Sequence, residues 1–388
     1  MSPGAVLPRG PVLDWASLRG PHPAGLPAVD DLPHQLHTTS GRAALFQALR
    51  ALALPAGSAV LVPTYHCPTM VAPVVHAGLR PVFYGLDENA VPRLEAMDAA
   101  ALAGVRALLV AHYFGQPRSL EAERHWCDER GIALIEDCAH CFFGQAGDRQ
   151  VGAWGDFAIA SLTKFLPVPE AGILASARRA IGLPSLPGQG AKAQIKGLVD
   201  VLERARQHHR LRGLGGLLGG LFRWKNGHVP LHPTGSADRA AVDAQDPLQG
   251  CDLTRAGSAP VAMAKLLQRC LPRDRVVRQR QAHQARLRQR LVGQPGLHLP
   301  FDLGGTARAP YVLPVWVDDA ERVYAGLRGQ GWPVFRWDRR WPGQPMLTGD
   351  HGAGMGHHLL QLPCHQDFID GEVEQLADAL LAQVQGRQ

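Results

Sequence analysis

The chain has 388 residues, a net charge of +6, and hydrophobic and charged fractions of 46% and 19%, the profile of a soluble globular protein with length for two domains. Its arginines are spread without aromatic-interleaved basic runs, so nucleic acid is not an expected partner, and no uninterrupted apolar stretch reaches the ~18 residues of a membrane span. Seven cysteines, an odd number, and an N-terminus without a signal-type apolar stretch point to reduced thiols and a cytoplasmic location.

Residues 1–35 are rich in Pro and Gly and read as an N-terminal arm. A rhythm of helix and strand follows over 36–250. Thr38 to Arg42 is a turn and helix start, and Ala43 to Leu54 is a helix with Leu45, Leu49 and Leu52 at helical spacing. Ala59–Val62, Pro81–Tyr84, Ala107–Ala111 and Ala133–Ile135 are short, continuously apolar strands, with helices around Met70–Val75 and 120–130 between them. Strands alternating with helices imply an α/β fold with a mostly parallel sheet, whose ligands sit beyond the carboxyl ends of the strands. Tyr65, His66, Gln116, Asp137 and His140 fall at such ends.

The stretch 177–248 breaks the rhythm and reads as an insertion or lid. Within it, 204–225 joins a basic piece to a glycine-rich one, in which a rigid helix is disfavoured because each glycine costs ~1 kcal/mol relative to Ala. It is a candidate lid, subunit contact, or peripheral patch for a lipid- or carrier-bound substrate. One long helix is predicted from about Ala259 to Val292, then a strand over Pro310–Val317 and helices over 321–329 and 372–384. Residues 251–388 thus form a helical linker and a smaller C-terminal α+β domain.

Lys164 stands out chemically. It is one of only five lysines against 35 arginines, and it interrupts an apolar run, Phe157 to Pro167. A desolvated lysine can form Schiff bases, whereas the ordinary alternative is a stem snorkelling to water. Two further features have equally ordinary alternatives as caps when taken singly. Ser40-Gly41-Arg42-Ala43 opens a helix whose first free N–H groups suit a phosphate, and Asp137 ends a buried strand, where a carboxylate can hold a proton on a pyridine nitrogen. Together with Ser161 and Lys164 they match the needs of pyridoxal 5′-phosphate. Cys138-Ala-His-Cys141 has the spacing of a redox pair or half a zinc site, but no second such pair exists, and no metal is expected there or at His357-His358 and Cys364-His365. Arg336 to Trp341 is an aromatic and arginine cluster, able to hold a carboxylate or phosphate or to pack as a surface turn.

The segments 40–45 (Ser-Gly-Arg-Ala-Ala-Leu), 60–65 (Val-Leu-Val-Pro-Thr-Tyr), 78–83, 112–117 (His-Tyr-Phe-Gly-Gln-Pro), 135–140 (Ile-Glu-Asp-Cys-Ala-His), 151–157 and 161–164 (Ser-Leu-Thr-Lys) resemble the DegT/DnrJ/EryC1/StrS family of sugar aminotransferases. The likeness covers roughly residues 35–176 well and 250–388 loosely. It implies a fold type I pyridoxal phosphate-dependent transferase with a large, mostly parallel sheet domain and a smaller C-terminal α+β domain, working as a homodimer. It also implies an aminotransferase that passes an amino group from Glu or Gln, through pyridoxamine phosphate, to a keto or aldehyde acceptor such as a sugar.

By the same resemblance, Lys164 carries the cofactor and shuttles the proton, and Asp137 pairs with the ring nitrogen. His140 lies near the ring oxygen, and Ser161 with Gly41, Arg42 and Ala43 at the helix start holds the phosphate. Cys67 stands where the family stacks an aromatic on the ring, and the family's Asn-x-Arg segment appears only as Leu253-Thr-Arg255. Tyr65, His66, Gln116, Arg255 and Arg336 are substrate candidates. These departures leave room for another pyridoxal phosphate reaction, such as a lyase, racemase or condensing step, or for a non-catalytic regulatory protein that docks through the insertion.

Overall fold

In a computed structural model of the chain, the described residues are 7–18, 25–211, 213, 248, 250–302, 307–369 and 371–386. The apolar runs assemble into one seven-stranded sheet. Its strands are β1 (His34–Thr38), β2 (Ala59–Pro63), β3 (Arg80–Tyr84), β4 (Val105–Ala111) and β5 (Ala133–Asp137), then Phe157–Ser161 and Gly172–Ser176. The short pair Gln145–Ala146 and Arg149–Gln150 forms a separate ribbon, so the last two sheet strands are numbered β8 and β9, after β6 and β7. The spatial order is β1-β9-β8-β5-β4-β2-β3. Neighbours from β3 through β8 run parallel, and β9 is antiparallel to both β8 and β1. The predicted parallel sheet therefore carries an antiparallel edge.

Alternation along the strands divides the interior. Phe157 and Ile159 of β8 face one core together with Leu45 and Leu49, while Ala158 and Ala160 face a second core with Phe165, Val201 and Ala264. Burial on both faces explains why these strands read as continuously apolar. Helices α1 (Gly41–Leu52), α2 (Pro68–His76) and α3 (Glu121–Arg130) supply the crossovers. Helix α4 (Ala191–Gln207) lies within the sequence insertion, whereas 214–247, with most of the glycine-rich stretch, lies outside the described residues.

The single long helix predicted over 259–292 is two helices, α5 (Ala262–Cys270) and α6 (Arg273–Leu291). Pro272 is the cause: the residue before a proline is pushed out of the helical region, and Leu271 is extended, with φ −82° and ψ 132°. Helix α6 then reaches from the second core, through Val276 and Val277, to the first, through Leu287 and Leu291. A three-stranded antiparallel sheet follows: β10 (Leu297–His298), β11 (Val312–Val317) and β12 (Leu359–Pro363). Helices α7 (Ala320–Gly329), α8 (Gly352–His358) and α9 (Glu372–Val384) complete this smaller unit. The N-terminal lead is tacked onto it, since the Val12 amide donates to Asp367 at 3.1 Å and the Pro8 carbonyl lies 2.9 Å from His365 Nε2.

Glu136 fixes the loop between β5 and β8. Its side chain is fully buried and accepts from the amides of Trp154 (2.5 Å), Gly155 (2.6 Å) and Gly152 (3.0 Å) and from His112 Nε2 (3.0 Å). The Arg118 amide donates to His112 Nδ1, which fixes the tautomer with the proton on Nε2. Removing a carboxylate that satisfies four buried donors leaves them all unpaired. Glu136→Ala is expected to cost about 3–5 kcal/mol, read as a fall in the urea midpoint.

Candidate functional site

The carboxyl ends of the parallel strands and the near end of β9 meet at one edge of the sheet. Asp137 pairs with Ala111 and Ile159, Ser161 pairs with Gly172, and Gly172 also pairs with Thr38, so the chain leaves β1 directly into the turn that starts α1. That turn needs glycines. A Cβ on Gly172 would collide with the Ser40 carbonyl, and one on Gly41 would sit 3.2 Å from Ser161 Cβ. Ser40 caps α1 by accepting from the Ala43 amide at 3.2 Å. The cap spends the Ala43 amide and, among the described residues, leaves those of Gly41 and Arg42 without a hydrogen-bond partner, beside Ser161. Such an end, with its dipole, suits an anion.

Beyond this edge lies a cavity of about 1180 Å³. Gly41, Arg42, Cys67, Asp137, His140, Ser161, Lys164 and Arg255 all line it. Ala43 is buried and does not line it. Tyr65 and His66 do not line the cavity: Tyr65 is buried with its hydroxyl 3.1 Å from Gln361 Nε2, and His66 Nε2 lies 2.9 Å from Gln344 Oε1. Cys67 is the N-cap of α2, and there the chain turns back to the cavity. Gln116 donates to the Asp302 carbonyl and Arg336 to that of His357, both away from the cavity wall.

Lys164 ends a short 3₁₀ turn (Leu162–Lys164) after β8 and is half-buried. Its Nζ lies 5.3 Å from the centre of the Tyr311 ring. Asp137 is buried, and the Ala139 amide, at 2.8 Å, is the only hydrogen-bond donor to its side chain among the described residues. Burial raises its pKa, and the nearby Lys164 ammonium and the Ala139 amide hold that rise back. His140 is packed between the rings of Tyr311 (4.3 Å) and Trp337 (4.7 Å). Burial, and then Lys164, push its pKa well below the usual histidine value, so it is neutral.

Several wall residues were not singled out in the sequence. Trp337 comes from the aromatic and arginine cluster, one position from Arg336, Thr163 immediately precedes Lys164, and Glu170 follows it further along the chain. Glu170 ties Arg42 (2.6 Å) and Arg255 together at the mouth. Helix α4 adds Lys192, Lys196, Asp200 and Arg204, spaced by fours so that they share one face.

The Cys138–Cys141 pair is fully buried, and burial raises both thiols' pKa values, which makes them poor nucleophiles and ligands. His112, Glu136 and Cys138 form a tight cluster, but the imidazole and carboxylate are already committed to protein hydrogen bonds.

Residues 29–181 match the DegT/DnrJ/EryC1/StrS aminotransferase family, so the resemblance read from the motifs holds over that stretch. A GDP-perosamine synthase from Vibrio cholerae is 30% identical over 146 residues, 37% of this chain and 40% of that protein. A UDP-N-acetyl-3-dehydro-alpha-D-glucosamine 3-aminotransferase from Acidithiobacillus ferrooxidans is 31% identical over 134 residues, 34% and 36% of the two chains. The matching stretch thus spans about two fifths or less of these relatives.

Solved structures extend the likeness of fold to nearly the whole chain. DesV of S. venezuelae, in complex with a ketimine intermediate, superposes with a TM-score of 0.61 at 19% identity, over 91% of this chain and 85% of that one. The Bacillus subtilis protein NtdA, with bound cofactor PMP, gives 0.58 at 15% identity, over 92% and 74%. The chain shares the α/β fold of these structures, with a large, mostly parallel sheet and a smaller unit.

Gly172→Ala is expected to displace the Ser40–Gly41 turn at a cost of about 1–3 kcal/mol, read by chemical denaturation. Gly188→Ala is the control, because a Cβ there meets nothing within 4 Å and its backbone is unstrained, and it should leave stability unchanged or slightly raised.

Proposed function

We propose that the protein is a pyridoxal 5′-phosphate-dependent aminotransferase that moves an amino group from an amino acid, Glu or Gln, to a keto or aldehyde group on a sugar or related metabolite. The observation that carries this reading is the convergence of Lys164, Asp137 and the free N-terminal amides of α1 on one cavity. Two features of that cavity fit the cofactor. Asp137 is a buried carboxylate with one hydrogen bond and a raised pKa, which a cationic ring nitrogen would satisfy. Gly41 and Gly172 keep side chains out of the place where a phosphate would meet the helix.

When bound, the cofactor supplies an electrophilic aldehyde and an electron-withdrawing ring. Lys164 Nζ would be the amine that holds the cofactor through its aldehyde carbon, and it is placed to move a proton to or from a substrate carbon beside it. Asp137 holds a proton on the ring nitrogen by charge, in a site where low polarity strengthens the interaction. The amides of Gly41 and Arg42 and the Ser161 hydroxyl bind the phosphate, and Arg42 is itself oriented by Glu170. His140, neutral and held between two rings, is suited to a hydrogen bond with the ring oxygen. Cys67 stands where the family stacks an aromatic, and the aromatic side chains of the cavity wall are Tyr113 of the large sheet unit and Trp337 of the smaller unit.

The cavity exceeds the ~300–1,000 Å³ usual for a single small ligand. It has room for a cofactor and a bulky polar acceptor together, and α4 and Arg255 would face the acceptor. The two relatives' names refer to perosamine and glucosamine derivatives carried on nucleotides, which supports a sugar acceptor. The reading also includes a homodimer, checked by light scattering, and a cytoplasmic location, in keeping with seven free cysteines. No described helix is long and apolar enough to cross a membrane.

Addition of pyridoxal 5′-phosphate should produce a visible absorption band that Glu or Gln bleaches and that Lys164→Ala does not form. Asp137→Asn should keep the band but lower turnover by about 10²–10³-fold, the scale for losing one preorganised electrostatic group. A wild-type protein that forms no band would overturn the reading.

A further inference from the structure

Arg280 sits in the middle of α6, the helix that joins the two cores, and its side chain is fully buried. A guanidinium keeps its charge at ordinary pH, so complete burial usually comes with a carboxylate partner. None of the hydrogen bonds of Arg280 goes to one. Nε donates to Gln366 Oε1 at 2.8 Å, one terminal nitrogen to the Pro310 carbonyl at 2.9 Å, and the other to the carbonyl of Lys164 itself at 2.6 Å. The guanidinium carbon lies 4.5 Å from the centre of the Phe165 ring. Asp367 is near enough to act through space, but it is bonded to Arg275 and the Val12 amide. Burial brings the Arg280 pKa down to about 10.

Gln366 completes the arrangement by donating from Nε2 to the Phe165 carbonyl at 2.9 Å. Two consecutive carbonyls of the lysine turn are therefore held by two side chains that are bonded to each other. The third acceptor, Pro310, immediately precedes Tyr311, whose ring faces Lys164 Nζ and packs on His140. One rigid fork thus fixes the backbone on both sides of the Lys164–Tyr311 contact. Stability does not call for this. A well-packed apolar side chain commonly serves a buried site as well as a charge does, but it cannot direct three donors at fixed angles as arginine can.

We propose that Arg280 is a positioning residue for Lys164: it sets the 162–165 turn in register with Pro310 and Tyr311 and so places the lysine amine in the cavity. The inference rests on the reading of Lys164 as the cofactor amine, but its test needs no cofactor. Among the described residues, Asp137, His140 and Tyr311 carry charged or titratable groups near the amine.

In cofactor-free protein, trinitrobenzenesulfonate labelling of Lys164 can be followed against pH by peptide mass spectrometry. Lys192 and Lys196, which line the same cavity and are exposed, serve as internal standards. In Arg280→Met, with circular dichroism unchanged, the freed turn should let Lys164 label about tenfold faster relative to the standards. Arg280→Lys should behave similarly, because an ammonium cannot reproduce the fork. A folded Arg280→Met whose relative labelling profile matches wild type overturns the proposal.

If Arg280→Met does not fold, Gln366→Leu carries the test. It releases the Phe165 carbonyl and leaves Arg280 Nε without its acceptor, while keeping the bonds of Arg280 to Lys164 and Pro310. A relative labelling rate raised about threefold supports the proposal, and an unchanged rate overturns it. Failure of the protein to bind pyridoxal 5′-phosphate would sink the proposed function without altering these labelling results.

Discussion

Two neighbouring carboxyl groups, Glu136 and Asp137, end the central strand β5, and strand alternation sends them to opposite sides. Glu136 is saturated by four donors and anchors the loop that carries the chain to β8, the strand that delivers Lys164. Asp137 keeps one donor and lines the cavity. The same strand end thus supplies both a structural anchor and a chemically unsatisfied charge. A shift of one residue in register would exchange them and lose both roles.

Around that strand end, the large sheet provides the fixed parts of the site and the smaller unit provides its remaining wall. Gly172 allows the Ser40–Gly41 turn to sit against the sheet, which brings the start of α1 beside Ser161 and Lys164. Trp337 comes from the smaller unit, and Tyr311 at its first long strand faces the lysine. Helix α6 spans the two cores and carries Arg280, so the lysine turn is bonded to both units.

Much of the large domain was legible in the sequence because its strands are buried on both faces and read as apolar runs. Asp137, Lys164 and Gly41 could be picked out as candidates because each lies within a short local motif, and all three line the cavity. What was not legible depends on packing between distant segments. Tyr65 and His66 immediately precede Cys67, yet only Cys67 lines the cavity, since their own side chains are taken up by Gln361 and Gln344. Arg336 and Trp337 are adjacent, and only the tryptophan reaches the site. The helical part of the insertion lines the cavity through residues four apart, a pattern that names a helix face but not what the face meets. The break at Pro272 was visible in the sequence, and the apolar periodicity around it masked it.

The central claim is that Lys164 is the amine that receives the cofactor. Borohydride reduction of the protein after incubation with pyridoxal 5′-phosphate, followed by peptide mass spectrometry, tests it directly. The account predicts a single phosphopyridoxyl group, on Lys164. Modification spread over Lys192, Lys196 and Lys265 with Lys164 unmodified would contradict it.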